Sequence, residues 1–323
     1  MATILSEPVT GACAWRGEDF QTDSSWIYQL SPTQISNLDT ALSRLNASGC
    51  DVPGFTREDF QLPELTGLLE DITTDLEQGR GFALLKGLPI DHYPETDIRK
   101  IYFGIGLNLG KPVSQNPTGD MLGEVMKVGD PEDKNTRVYQ TNAYLPYHTD
   151  PSDVVALLCL RKARSGGKSS LVSAAMAYNE LLANYPQHLE FFYEPTYYAH
   201  MGGDKPKRTP LFSYHDNKLS CRYLRQYIEL GNDIMGAPLS TAQRQALDDF
   251  DAITADASLR LDMMLEPGDI QFANNYATLH SRTAFDDHEE INLRRKMLRL
   301  WLKMPGARSL APDFPGRNGF SDD

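Results

Sequence analysis

The stretch LPYHTDPSD, residues 145–153, sets His148 and Asp150 on either side of a single threonine. In an extended chain, side chains at i and i+2 point to one face. Pro146 just ahead favours a strand start or edge. An imidazole nitrogen and a carboxylate oxygen projecting together can form half of an acid/base pair or two legs of a metal site. A strand-end histidine hydrogen-bonded to a turn aspartate is the plain structural alternative.

A third donor follows far along the chain. EPGDIQFANNYATLHSRTAF, residues 266–285, holds a Pro-Gly-Asp turn, a strand-like run and then His280. Two histidines and one carboxylate, the second histidine distant in sequence, make the facial triad of non-haem Fe(II) oxygenases. Three protein ligands on one face leave positions open for a co-substrate and O2. A His2Asp zinc hydrolase offers the same donors, and a non-catalytic jelly-roll binding module could keep the pocket without the reaction.

The segment INLRRKMLRLWLKM, residues 291–304, bears on that choice. Read as a strand, it puts Leu298, Leu300 and Leu302 on one face and Arg295, Met297, Arg299 and Trp301 on the other. Two arginines facing a β core are costly unless each meets an anion. A dicarboxylate co-substrate supplies one, because the guanidinium fork matches a carboxylate. Pairing with rim carboxylates is the alternative. On this parity Arg294, the register rival of Arg295, points outward with the leucines.

The elements that must hold these residues are legible in outline. LSPTQISNLDTALSRL (30–45), PELTGLLEDITTDLEQG (63–79) and PETDIRKIYFGIGLNLG (94–110) carry helical spacing, with RGFALLKGLPI (80–90) a short buried strand between them. From about Val125 the texture turns to short apolar runs: VVALLCLRKA, KSSLVSA, TYYAHM, LSCRYL, GDIQFAN and RKMLRLWLKM. Helical interludes AAMAYNELLANY and STAQRQALDDFDAIT break them. Many short strands between turn signals predict a sandwich or barrel. The expectation is an α+β chain with one β core, helices outside it coming mainly from the N-terminal third. No linker or repeat divides it, so 1–323 reads as one domain, with 1–60 a helical extension.

The net charge of -13, from 31 basic and 44 acidic residues, argues against a nucleic-acid partner. It leaves room for a small anionic substrate held by local arginines. Four scattered cysteines without a CxxC pair read as free thiols of a reducing compartment. Neither a signal peptide nor an uninterrupted apolar run of spanning length is visible. These features give a cytoplasmic protein with no membrane partner, and leave a homo-oligomer open.

Together the pieces resemble the taurine dioxygenase-like (TauD/TfdA) family of Fe(II)- and 2-oxoglutarate-dependent oxygenases. The matching residues are HTD at 148–150, SGGKSSLVSA at 165–174, His280 after its PGD turn, RRKMLR at 294–299 and GRGFALLKGLPI near residue 80. The resemblance implies a double-stranded β-helix (jelly-roll) core. It makes His148, Asp150 and His280 the iron ligands and Arg295 the grip on the distal carboxylate of 2-oxoglutarate. Ser169 matches a hydroxyl on that co-substrate, with Ser170 its register rival, and Arg299 a second arginine near substrate or co-substrate. The presence of Asp150 implies oxygen transfer and not the chlorination of relatives that lack this carboxylate. The implied reaction couples decarboxylation of 2-oxoglutarate by O2 to oxidation of an unactivated C–H bond. Hydroxylation is favoured; desaturation, cyclisation or rearrangement in secondary metabolism is the runner-up.

Other features carry less. SGGKSS lacks the first glycine of a P-loop, since Lys162 stands there. GIGLNLG at 104–110 ends a helical pattern and does not follow a strand. Cys221 has no nearby histidine and reads as a core thiol. His200 and His215 flank MGGDKPKRTP, a candidate lid. For the substrate, Asn142, Tyr144, Gln115 with its neighbour Asn116, Arg222 and Arg225 are candidates that would suit a small polar molecule such as an amino acid.

Overall fold

A computed structural model describes residues 4–127, 141–199 and 205–320 of the chain. His200 and its neighbours through Asp204 lie outside these residues, so part of the expected lid is not described.

Two β-sheets carry the fold. In the larger one the strands run Ile27–Gln29, Phe82–Lys86, Ile270–Asn274, Val154–Arg161, Lys296–Lys303 and Lys111–Val113, and Gly123–Met126 also pairs with Lys296–Lys303. The smaller sheet runs Leu261–Met263, Ser169–Ser173, Thr278–Arg282 and Leu145–His148. All these pairings are antiparallel except Ile27–Gln29 with Phe82–Lys86.

Strand alternation sorts the side chains into three apolar layers. Leu298, Leu300 and Leu302 face a core shared with helices Pro32–Ser48, Thr66–Glu77 and Glu95–Leu109. Met297 and Trp301, from the other face of the same strand, join Phe82, Val155 and Cys159 against Leu171, Leu261 and Met263 of the smaller sheet. That sheet's outer face, with Tyr147, Val172 and Leu279, packs on the helices Ala174–Asn184, Leu189–Tyr193 and Thr241–Ala255. Helices from the second half of the chain therefore cover a whole sheet face, more than the two interludes legible in the sequence.

Local signals explain the helix bounds. Ser31 and Gln34 form a reciprocal capping box, Pro32 opens the first helix, and Gly49 closes it with φ 74°. Residues 4–60, expected as a helical extension, also supply the edge strand Ile27–Gln29 and the buried Trp15 and Trp26 of the inter-sheet layer. The chain after Lys303 turns back over the sheets: Phe314 is fully buried, and Gly319 N–H donates to the Pro151 carbonyl at 2.6 Å.

Candidate active site

His148 is the last residue of its strand and lies directly across the pair from His280. The two rings sit 4.2 Å apart, centroid to centroid. Asp150 belongs to the loop that follows, not to the strand as the i, i+2 reading expected. Its backbone N–H donates to Asn275 Oδ1 at 2.9 Å, which turns the carboxylate back toward the histidines. Asp150 Oδ1 is 3.9 Å from His148 Nε2, and Oδ2 is 3.6 Å from His280 Nε2. One donor atom from each residue lies within 4.8 Å of the others, an arrangement that could hold a divalent ion.

The surroundings prepare these donors. His148 Nδ1 is 2.8 Å from the Pro146 carbonyl, which selects the tautomer protonated at Nδ1 and leaves the Nε2 lone pair directed at Asp150. Burial, then the adjacent His280 ring, push the His148 pKa down to about 4. Burial alone would raise the Asp150 pKa, but Arg299 and the hydrogen bond and charge of His280 hold it well below the usual carboxylate range. Trp301 Nε1 also donates to Asp150 Oδ2 at 2.8 Å. At neutral pH His148 is therefore a neutral imidazole beside an ionised Asp150 carboxylate.

Arg295 faces inward and is 4 % exposed. Its Nη1 is buried without a hydrogen-bond partner among the described residues, and its guanidinium lies over Phe285 at 5.4 Å. Burial brings its pKa down to about 10. Gly167, with φ 74°, leaves room here: a Cβ there would come within 3.3 Å of Arg295 Nε. Arg294 turns the other way, onto the carbonyls of His288 and Glu289. Ser169 shares the inter-sheet face of Leu171, whereas Ser170 is turned outward between Tyr147 Oη at 2.5 Å and Asp262 Oδ1 at 2.6 Å. Arg299 Nε donates to Gln115 Oε1 at 2.9 Å; the guanidinium stacks on Trp301 and lies 3.9 Å from Asp150 Oδ2.

A cavity of about 580 Å³ opens onto the triad, and Arg299, Trp301, Leu157, Val155 and Phe320 are among its walls. Of the proposed substrate residues, Arg225 lines it; Asn142, Tyr144, Gln115 and Arg222 are not among its lining. Tyr144 is 47 % exposed on the outer side. Asn142 donates to the Phe285 carbonyl, and Gln115 is buried behind Arg299. Arg222 donates to Thr209 Oγ1 and the Pro315 carbonyl. The strand containing Cys221 ends there, and Arg225 instead opens the helix Arg225–Ile234. Its charge is already met by Glu229, Asp248 and Asp251. His215 stands at a hairpin end and Asn116 bonds Asp120; neither lines the cavity.

Three residues at this site were given no functional role in the sequence. Trp301 and Arg317 line the cavity, and Arg282 lies beside Arg295. Arg282 shares the face of His280, stacks on Phe285 at 4.7 Å and donates to the carbonyls of Thr141 and Ala143. The HxR spacing at 280–282 carried the signal for Arg282.

The chain is similar to several known proteins. The family model "Taurine catabolism dioxygenase TauD, TfdA family" matches residues 48–301. An FR-33289 synthase of Streptomyces rubellomurinus is 33% identical over 318 residues, covering 95% of this chain and 94% of its own. A taurine hydroxylase-like protein, SAT17, of Stachybotrys chartarum is 28% identical over 93% of this chain and 80% of its own. Among solved structures, an asparagine oxygenase bound to Fe(II), a hydroxyasparagine and succinate superposes with TM-score 0.69 at 17% identity, covering 86% of this chain and 93% of that one. The non-haem iron oxygenase OrfP with iron and α-ketoglutaric acid gives 0.63 at 16% identity, covering 86% and 93%. The chain belongs to the taurine catabolism dioxygenase TauD, TfdA family and is an oxygenase that works with Fe(II), 2-oxoglutarate and O2.

Proposed function

We propose that His148, Asp150 and His280 hold the Fe(II), that Arg295 with Ser169 takes the distal carboxylate of 2-oxoglutarate, and that the enzyme hydroxylates a C–H bond of a small polar molecule of amino-acid size, releasing succinate and CO2. The observation that carries this reading is the convergence of three metal-competent donors with an inward, buried guanidinium that has an unsatisfied Nη1. A buried cation of that kind fits a bidentate carboxylate guest. The asparagine oxygenase and OrfP bind hydroxylated amino acids, and a cavity of about 580 Å³ has room for such a molecule.

When bound, the iron with 2-oxoglutarate and O2 supplies the oxidising power that no side chain has. The chain's own residues do the rest. Pro146 fixes the His148 tautomer, and Asn275 and Trp301 fix the Asp150 carboxylate. Val155, Leu157 and Phe320 make apolar wall that excludes water from the reacting carbon. Asp150 occupies the place that a chloride would need, which favours oxygen transfer. We read the two facing sheets as the double-stranded β-helix of one oxygenase domain.

The test is a panel of small polar molecules, amino acids foremost, screened for succinate release from 2-oxoglutarate with product masses recorded. Gain of one oxygen atom is the expected result, and His148→Ala should abolish turnover. Loss of two hydrogens would instead assign desaturation or ring closure.

A further inference from the structure

Among the described residues three arginines line the cavity, and they are not equivalent. Arg225 is matched by Glu229 at 3.0 Å, Asp248 at 2.6 Å and Asp251 at 2.8 Å. Arg299 is engaged by Gln115 and faces Asp150. Arg317 has no ion-pair partner among the described residues; its guanidinium lies over the Tyr198 ring at 5.0 Å.

Tyr198 gives an independent sign. It lines the same cavity and is 5 % exposed, and among the described residues its buried hydroxyl has no hydrogen-bond acceptor. The Tyr198 oxygen can accept one hydrogen from the Arg317 guanidinium beside it, but a guanidinium carries only donors, so the phenolic hydrogen finds no acceptor there. Burial pushes the Tyr198 hydroxyl up to about 12, so it remains a donor at neutral pH. Behind them Arg222, 4 % exposed, is a second guanidinium whose partners among the described residues are the Thr209 hydroxyl, the Pro315 carbonyl and the Phe314 ring. In a chain of net charge -13, this wall of the cavity is locally cationic and short of acceptors.

The geometry holding Arg317 in place is built. Gly319 N–H bonds the Pro151 carbonyl, Phe320 N–H bonds Ser114 Oγ at 3.0 Å, and the Phe320 ring stacks on Trp301 at 6.2 Å. Gly319 has φ 61°, and a Cβ there would meet the Ser114 carbonyl at 2.1 Å, so only glycine lets the chain pass so close. This segment lies beyond residue 301, where the family match stops.

We propose that Arg317 and the Tyr198 hydroxyl form an anion-recognition subsite, and that the substrate carries an oxyanion (carboxylate, sulfonate or phosphonate) that docks there while its reacting carbon faces the triad. This deepens the oxygenase reading above and rests on it for the second half only. The direct probe is calorimetric titration of the anaerobic Fe(II)–2-oxoglutarate protein with propionate, methanesulfonate, methylphosphonate and the neutral propionamide. At least one anion should bind and propionamide should not, and the preferred anion identifies the group. Arg317→Gln should weaken that anion by about ten- to a hundredfold, the weight of a charged hydrogen bond, and Arg317→Lys should recover part of it. Tyr198→Phe should weaken it less.

With the turned-over substrate from the panel, Arg317→Gln should raise KM by a similar factor and leave kcat near wild type, a split that a merely structural role would not produce. An anion affinity indifferent to Arg317→Gln, or equal binding of propionamide, overturns the subsite. Absence of succinate release by the wild type with every panel member would overturn the oxygenase reading instead, and leaves the calorimetric result standing on its own.

Discussion

Trp301 Nε1 donates a hydrogen bond to Asp150 Oδ2 across 2.8 Å, joining the large sheet to the carboxylate of the triad. The same indole carries Arg299 on one side and stacks with Phe320. A metal-ligating carboxylate depends on such neighbours for its orientation. Trp301→Phe keeps most of the ring and removes the donor. Fe(II) affinity should fall by about ten- to a hundredfold, read by metal titration of the purified protein. Unchanged affinity would show that Asn275 alone orients the carboxylate.

Arg295 and Arg294 provide a matched pair of tests. Arg295→Gln should raise the apparent KM for 2-oxoglutarate by about two to three orders of magnitude, as when one partner of a buried charge pair is cut back. Arg294→Gln, whose side chain bonds loop carbonyls, should change it by less than about twofold, the ordinary effect of a surface substitution. Steady-state succinate release measures both. A large effect at Arg294 with none at Arg295 would reverse the assignment.

The thiols should divide by burial. Cys159 and Cys221 are buried, and burial pushes Cys159 up to about 12 from an ordinary 9.0. An aromatic disulfide reagent at mildly alkaline pH should therefore label Cys50 and Cys13 in the native protein and reach the other two only on unfolding. The sign for stability follows. The folded state keeps a proton on Cys159 that the unfolded state loses, so this contribution is complete below about pH 9 and declines as pH rises toward 12. Denaturant midpoints across that range should fall, and a rising midpoint would refute the burial argument.

Gly319→Val should unseat the segment that carries Arg317 and Phe320, because its Cβ would collide with the Ser114 carbonyl. Substrate KM should rise steeply while the KM for 2-oxoglutarate, which we assign to Arg295, moves little. Equal changes in both would mean that the segment supports the whole site and not one part of it.

The sequence disclosed most of what depends on local pattern. The period of Leu298, Leu300 and Leu302 against Arg295, Met297 and Arg299 gave the strand and its faces, because alternation is a property of neighbouring residues. The three donors were legible as residue types, and the structure brings them together. Other readings failed where the window was short. CRYLRQY alternates like a strand, yet continued through Ile228 and Asn232 it buries residues at helical spacing. Asp150 looked like a strand residue because nothing nearby announces that Asn275 will bend the chain there. Trp301 and Arg317 were missed for one reason: their partners, Asp150 and Tyr198, lie more than a hundred positions away. Tyr144, chosen by parity with His148, points outward because the strand begins only at Leu145.

The return of residues 304–320 over the cavity has a consequence for how the enzyme is made. Domains acquire structure from the N-terminal side during synthesis, and the three metal donors are all present once His280 has left the ribosome. The indole that steadies Asp150 comes later, and Arg317 and Phe320 later still. A nascent chain therefore owns all three proposed iron donors before it owns a closed pocket. During that interval any iron it captured would face open water, with no wall to select a substrate.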